Sequence, residues 1–379
     1  MKISQQIYTP GSGWKSESGN SLINDAGLVI VFGSRGLLED KSHFDTIKST
    51  YPDATILLNS TSGEILSTRV YDDSLCLTAI KFEKTDIKSA SINVKDFPGS
   101  SEAGEFLGKA LPHENLVHLF VISDGQKVNG TKLVQGIESV LPSSVSVTGG
   151  LAGDAGNFEK TLVGLDSYPE EGVIAAIGFY GSNLTVGYGS RGGWDAFGPV
   201  RQITKSKDNV LFELDGKSAL KLYKTYLGEK ASELPGSALL FPLSLQTTED
   251  SEPVVRTVLA INEEDESMTF AGDVPEGAIT RFMKANFDRL IDGASTAASN
   301  IKESTLDSDP EFAILISCVG RKLVLGQRIE EEVEAVSETL GSSTVLTGFY
   351  SYGEISPFNP SVKCELHNQT MTITSFREV

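Results

Sequence analysis

The feature that most constrains this chain is one pattern written three times. Each copy is an apolar run, a turn, a helical stretch, a second apolar run and a glycine-bearing turn with an acid. In the first copy, residues 28–32 lead to Gly33-Ser34-Arg35. A helix follows with Phe44 and Ile47 facing inward and Tyr51-Pro52-Asp53 as its stop. Residues 55–58 then run into Gly63-Glu64-Ile65. In the C-terminal copy, residues 313–318 lead to Val319-Gly320-Arg321, and Ile329, Val333 and Val336 recur at helical spacing before Gly341. Residues 344–346 lead to Gly353-Glu354-Ile355. The middle copy has strands at 116–122 and 145–147 around a helix at 131–141, and it ends in Gly153-Asp154.

A β-hairpin is expected after each copy: 75–82 with 89–94, 173–179 with 184–188, and 362–366 with 371–375. A fourth, degenerate copy is read from 238–241 through a hairpin at 254–271. The fold class is therefore α/β, with repeated β-α-β-hairpin units forming mixed sheets covered by helices, in two packed domains. The division runs as an N-terminal extension 1–26, a first domain 27–215 and a second domain 216–379, parted near Gly216 beside a helix at 218–227. A long helix is expected over 279–301, with Phe282, Phe287, Leu290, Ile291 and Ala294 as its core stripe.

Composition narrows the function classes. The formal net charge of −19 is spread along the chain and disfavours phosphate backbones and anionic lipid surfaces, so no nucleic-acid or membrane partner is expected. No run of apolar residues is long enough to span a bilayer, and the polar opening residues 1–21 lack a signal-peptide core, so a cytoplasmic location is expected. Three widely spaced cysteines, Cys76, Cys318 and Cys364, define neither a disulfide framework nor a metal site.

The strand-end turns supply the site candidates. A glycine there permits a sharp turn or the close approach of a ligand, and the acid beside it can hold an ammonium group or cap backbone. Glu64 and Glu354 stand at equivalent places, with Asp154 as their counterpart in the middle copy. Arg321 and its first-copy equivalent Arg35 follow buried strands, where a guanidinium can clamp a carboxylate. Arg321 with Glu354 would make a site for a zwitterion such as an amino acid, or a structural ion pair. Trp194, with Phe197, is read as the rim of a pocket in residues 190–199. Cys318 with His367 as base lacks an orienting acid or an oxyanion device, so Cys318 is read as a small strand-end residue and no enzyme is expected. Gly187–Gly192 spells a dinucleotide fingerprint, but the sequence after it cannot form the required helix.

Several longer stretches carry a family resemblance. They are residues 59–65, 193–199 and 209–220, then Ser317-Cys318-Val319-Gly320-Arg321, residues 348–357 around Tyr352 and Glu354, and residues 366–372 around His367. Together these resemble the FIST family across about residues 27–376. The resemblance implies a signal-transduction sensor that binds a small ligand, with amino acids or related metabolites as one class, and modulates a partner signalling protein. The ligand-binding set carried onto this chain is Arg321, Glu354, Tyr352, Cys318, Glu64, Arg35 and Trp194. One branch of the family implies the alternative of a haem-based nitric oxide sensor regulating a histidine kinase. Haem would take His367 or His118 as axial ligand, on the strength of the branch and not of ligand spacing.

Overall fold

The computed structural model describes residues 1–17, 22–234, 236–248, 253–304, 309–358 and 363–379. Each of the three copies builds the centre of one mixed sheet. In the first, Leu28–Gly33 lies parallel to Thr55–Ser60 and antiparallel to Leu75–Lys81. In the second, Leu116–Ser123 lies parallel to Ser146–Leu151 and antiparallel to Val173–Tyr180. In the third, Phe312–Cys318 lies parallel to Val345–Ser351 and antiparallel to Met371–Glu378. These strands are apolar on both faces because helices or neighbouring sheets cover both. The crossover helices are Lys41–Thr50, Gly130–Glu138 and Ile329–Leu340. Asp40 and Asn129 cap the first two through side-chain oxygens, and the third begins with Glu330, Glu331 and Glu332 at its positive end.

The hairpins expected after the three copies do not form, whereas in the stretch 254–271 Val258–Asn262 does pair antiparallel with Ser267–Phe270. Leu75–Lys81 stays in the first sheet, while the next strand, Asp86–Asn93, pairs with Val173–Tyr180 in the second. Val173–Tyr180 is in turn followed by Leu184–Arg191, which pairs with Met371–Glu378 in the third. Glu365–His367 and Met371–Glu378 likewise belong to different sheets. Alternating strands around a turn look the same in sequence whether they pair with each other or with third parties. Lys2–Thr9, placed in an extension by the sequence reading, fills the corresponding outer position of the first sheet against Leu75–Lys81.

The glycine-acid turns exchange strands in the opposite sense. Glu64–Leu66 pairs with Val345–Ser351 of the third sheet, and Gly353–Ser356 with Ser146–Leu151 of the second. Val163–Leu165, which follows Gly153-Asp154, pairs with Thr55–Ser60 of the first. Each sheet therefore holds a segment from another copy, closing a three-membered ring of exchanges.

A separate antiparallel sheet is inserted between Leu184–Arg191 and the helix Phe287–Ser304. Its own core includes Leu211, Tyr223, Leu245, Phe270 and Phe282. This replaces the fourth copy: Gly236–Leu240 is a short 3-10 helix, and all the strands of this sheet pair antiparallel. The long helix expected over 279–301 also divides. Ile279–Lys284 is a strand that buries Phe282 in the inserted sheet, and the helix starts at Phe287. Leu290 and Ala294 are buried, whereas Phe287 is exposed. Gly216 lies within this sheet, at the turn between Val210–Leu214 and Lys217–Ser218.

Candidate functional site

The strand-end glycines are occupied by protein. A side chain at Gly63 would collide with Lys322, at Gly153 with Ser62, and at Gly353 with Leu151 and Leu366. These close approaches lock the exchanged strands together. The acids beside them are equally committed. Glu64 is buried, accepts from Thr61 Oγ1 and from Ser74 Oγ (2.6 Å), and burial raises its pKa to about 7. Glu354 is buried and accepts from Ser351 Oγ (2.6 Å), Thr370 N (3.1 Å) and Thr370 Oγ1 (2.9 Å); burial raises its pKa to about 8. Both turns share one geometry, a hydroxyl donating to the carboxylate three residues on.

Arg321 does not meet Glu354 in an ion pair. It is fully buried on Glu332, with Nε at 3.0 Å and Nη2 at 2.7 Å from Oε2, and it also donates to Gly192 O and Leu290 O. Ser317 and Tyr350 donate to the other oxygen of Glu332. The Arg321–Glu354 zwitterion site is therefore corrected to a buried Arg321–Glu332 network. Glu332 went unnoticed because, on an acidic helix, it reads as a solvent-facing residue.

Three candidates do meet, one from each copy. Asp154 accepts from Arg35 Nη1 (2.9 Å), from Tyr352 Oη and from the backbone N–H groups of Phe158, Glu159 and Lys160. Tyr352 stacks on Phe158 with ring centroids 4.6 Å apart.

Beside Tyr352 lies a cavity of about 350 Å³. Its floor is the carboxyl end of the parallel strands: Leu151, the Gly125–Gly130 turn entering the helix Gly130–Glu138, and Cys318-Val319-Gly320. Crevices at such strand ends are the usual ligand positions in α/β sheets. The opposite wall comes from the inserted sheet, through Asn209, Thr257, Leu259, Phe270 and Gly272. Thr257 is buried here and its hydroxyl has no partner. Nothing in the sequence marks Asn209 or residues 257–272 as a wall: 209–220 reads as the stretch joining the two parts, and 238–271 as a degenerate copy of the repeat.

Cys318 lines this cavity as the residue before the helix Val319–Leu325. Burial pushes its thiol well up, away from a thiolate. His367 gives it no base: His367 is buried, with Nε2 2.7 Å from Ser356 O. Trp194 lines a different cavity, of about 520 Å³, and donates from Nε1 to Gln369 O at 2.8 Å.

The histidines do not fit an axial haem ligand in this arrangement. His118 is buried with both ring nitrogens engaged, Nδ1 at 2.7 Å from Ser146 Oγ and Nε2 at 3.0 Å from Thr148 Oγ1. His367 keeps one unpartnered nitrogen, Nδ1, but that atom is buried, and neither histidine lines either cavity. Burial lowers the pKa of His118 to about 3 and of His367 to about 4, so both are neutral. Among the described residues no cluster of three or more His, Cys, Asp or Glu side chains has metal-binding geometry. No helix of the described residues is long and apolar enough to cross a membrane.

Fold and cavity together define a two-part α/β module with a crevice between its three-sheet core and the inserted sheet. Residues 27–217 match the FIST N domain and residues 219–357 the FIST C domain, and the chain belongs to the FIST family. FIST domains are sensory domains of signal transduction that bind small ligands. No curated protein matches the chain.

Proposed function

We propose that this protein is a cytoplasmic sensor that binds a small metabolite in the cavity between the three-sheet core and the inserted sheet. Bound metabolite is read by a partner signalling protein, a histidine kinase or another. The observation that carries this reading is the cavity wall itself. Tyr352, Phe158, Leu151, Leu259 and Phe270 give it an apolar lining, while Thr257 offers an uncommitted hydroxyl. The first turn of the helix Gly130–Glu138 presents its positive end at the same place. That combination suits a ligand with an apolar body and one acceptor or anionic end, as in an apolar amino acid or its keto acid. The committed side chains of Arg321, Glu332 and Glu354 position the walls and do not touch the ligand.

Leu259 is 42% exposed, so a larger side chain there fills the cavity mouth without entering the core. A thermal-shift screen of amino acids and organic acids should find compounds that raise the Tm of the wild type and not of Leu259→Trp. A screen with no compound that stabilises the wild type more than Leu259→Trp would reject this cavity as the site.

A further inference from the structure

A second cavity, of about 490 Å³, also lies between the core and the inserted sheet. The first cavity takes Asn129 and Gly130 from the start of the helix Gly130–Glu138, and the second takes Thr131, Lys132 and the residues beyond. Its feature is Arg256. This side chain is 5% exposed and donates only to carbonyls: Asp273 O at 3.2 Å, Val255 O at 3.3 Å and Leu366 O at 2.9 Å. It forms no ion pair with a carboxylate of the described residues, and its Nη2 makes no hydrogen bond to them. The contrast with Arg321, buried against Glu332, is direct. An unpaired buried guanidinium costs several kcal/mol unless an anion compensates it. Burial lowers its pKa only to about 10, so it remains a cation at neutral pH.

A second polar atom points the same way. The hydroxyl of Thr131, in the first turn of the helix, is buried in the same wall without a partner. The lysine beside it, Lys132, is already paired with Asp273 at 3.1 Å. Glu138, Glu365 and Asp273 also line the cavity outside ion-pair distance of Arg256; Glu365 and Asp273 act on its charge from that longer range, and burial raises the pKa of Glu138 and Glu365. Val134, Leu245, Val254 and Leu366 give the cavity an apolar strip of wall.

We propose that this second cavity is an anion site in which Arg256 Nη2 and the Thr131 hydroxyl hold the oxyanion of a small organic acid or phosphate ester, with its carbon body on the apolar wall. The site is separate from the metabolite cavity, and its occupant closes the same two parts of the molecule on each other.

The test is Tm against concentration of sodium hexanoate, and separately of inorganic phosphate, each compared with chloride at equal ionic strength. The wild type should be stabilised by at least one; hexanoate alone identifies a carboxylate on an apolar body, and phosphate alone a phosphate group. Arg256→Met should bind at least about tenfold more weakly, the loss expected when one partner of a buried charge pair is removed. If Arg256→Met does not fold, Thr131→Val decides, since it removes the hydroxyl and keeps the helix. Leu259→Trp, which fills the other cavity, should leave the response intact. No response to either anion, or one that persists in Arg256→Met or in Thr131→Val, overturns the proposal.

Discussion

Two buried carboxylates at equivalent strand-end turns carry opposite obligations from an ordinary surface glutamate. Glu64 and Glu354 are hydrogen-bonded by hydroxyls, yet burial raises their pKa to about 7 and about 8. Between the ordinary glutamate pKa and these values the unfolded chain gives up the proton first, so it binds fewer protons than the folded one. Stability contributed by these groups therefore falls as pH rises from about 4.5 to about 8, by about 1.4 kcal/mol per unit of pKa difference. Glu354→Gln is predicted to flatten that decline: it should be no more stable than wild type at pH 5 and more stable at pH 8. Denaturant titrations at both pH values check this. Arg321 behaves differently because its partner is present. Glu332→Ala would leave the guanidinium uncompensated in the core and is predicted to cost about 3–5 kcal/mol in urea unfolding. A ligand-binding arginine, in contrast, would show an effect on affinity with little change in stability.

At the scale of elements, the repeated strands and crossover helices were legible because their signals are local. Periodicity marks Phe44, Ile47, Ile329, Val333 and Val336 as inward; Ile47, Val333 and Val336 are buried, and Phe44 and Ile329 are half-buried. Pairing was not legible. Residues 75–82 and 89–94 read as a hairpin because two strand-like runs flank a turn, but nothing in either encodes which third strand it will join. The site suffered from the same gap. Of the residues chosen at strand ends, Tyr352 and Cys318 line a cavity, while Glu64, Glu354 and Arg321 go to internal bonds that depend on distant segments. Arg256 and Thr257 lie in a stretch that reads as hairpin, and Arg256 is indeed on a strand, but nothing in that pattern shows that its side chains face a cavity. The exchange turns also yield a prediction. Gly63 has φ of +133° and packs against Lys322, and the Cβ of an alanine at Gly153 would meet Ser62. Gly153→Ala should therefore lower Tm by several degrees, whereas Gly36→Ala, where a Cβ meets nothing, should leave it within about a degree.

For the whole molecule, the ring of exchanges means that no sheet is completed by its own copy. The second sheet contains Gly353–Ser356 and the third contains Glu64–Leu66 and Leu184–Arg191. Separate fragments 1–217 and 218–379, cut where the two family domains meet, are predicted not to reach the native fold alone. Amide dispersion in NMR spectra of each fragment, and its recovery on mixing, measures this. The inserted sheet stands apart with its own core, and it meets the three-sheet core through polar ties such as Asn129 Nδ2 to Asp273 Oδ1 at 3.1 Å. Cavities across such a seam can convert binding into a change in the relative placement of the two parts, which is a surface a partner can read. The most direct measurement is native mass spectrometry of freshly purified wild type and Leu259→Trp. The account predicts a small-molecule adduct on the wild type, or one restored by a hit from the thermal screen, that is missing from the folded variant. The same adduct on both proteins, at the same occupancy, would contradict it.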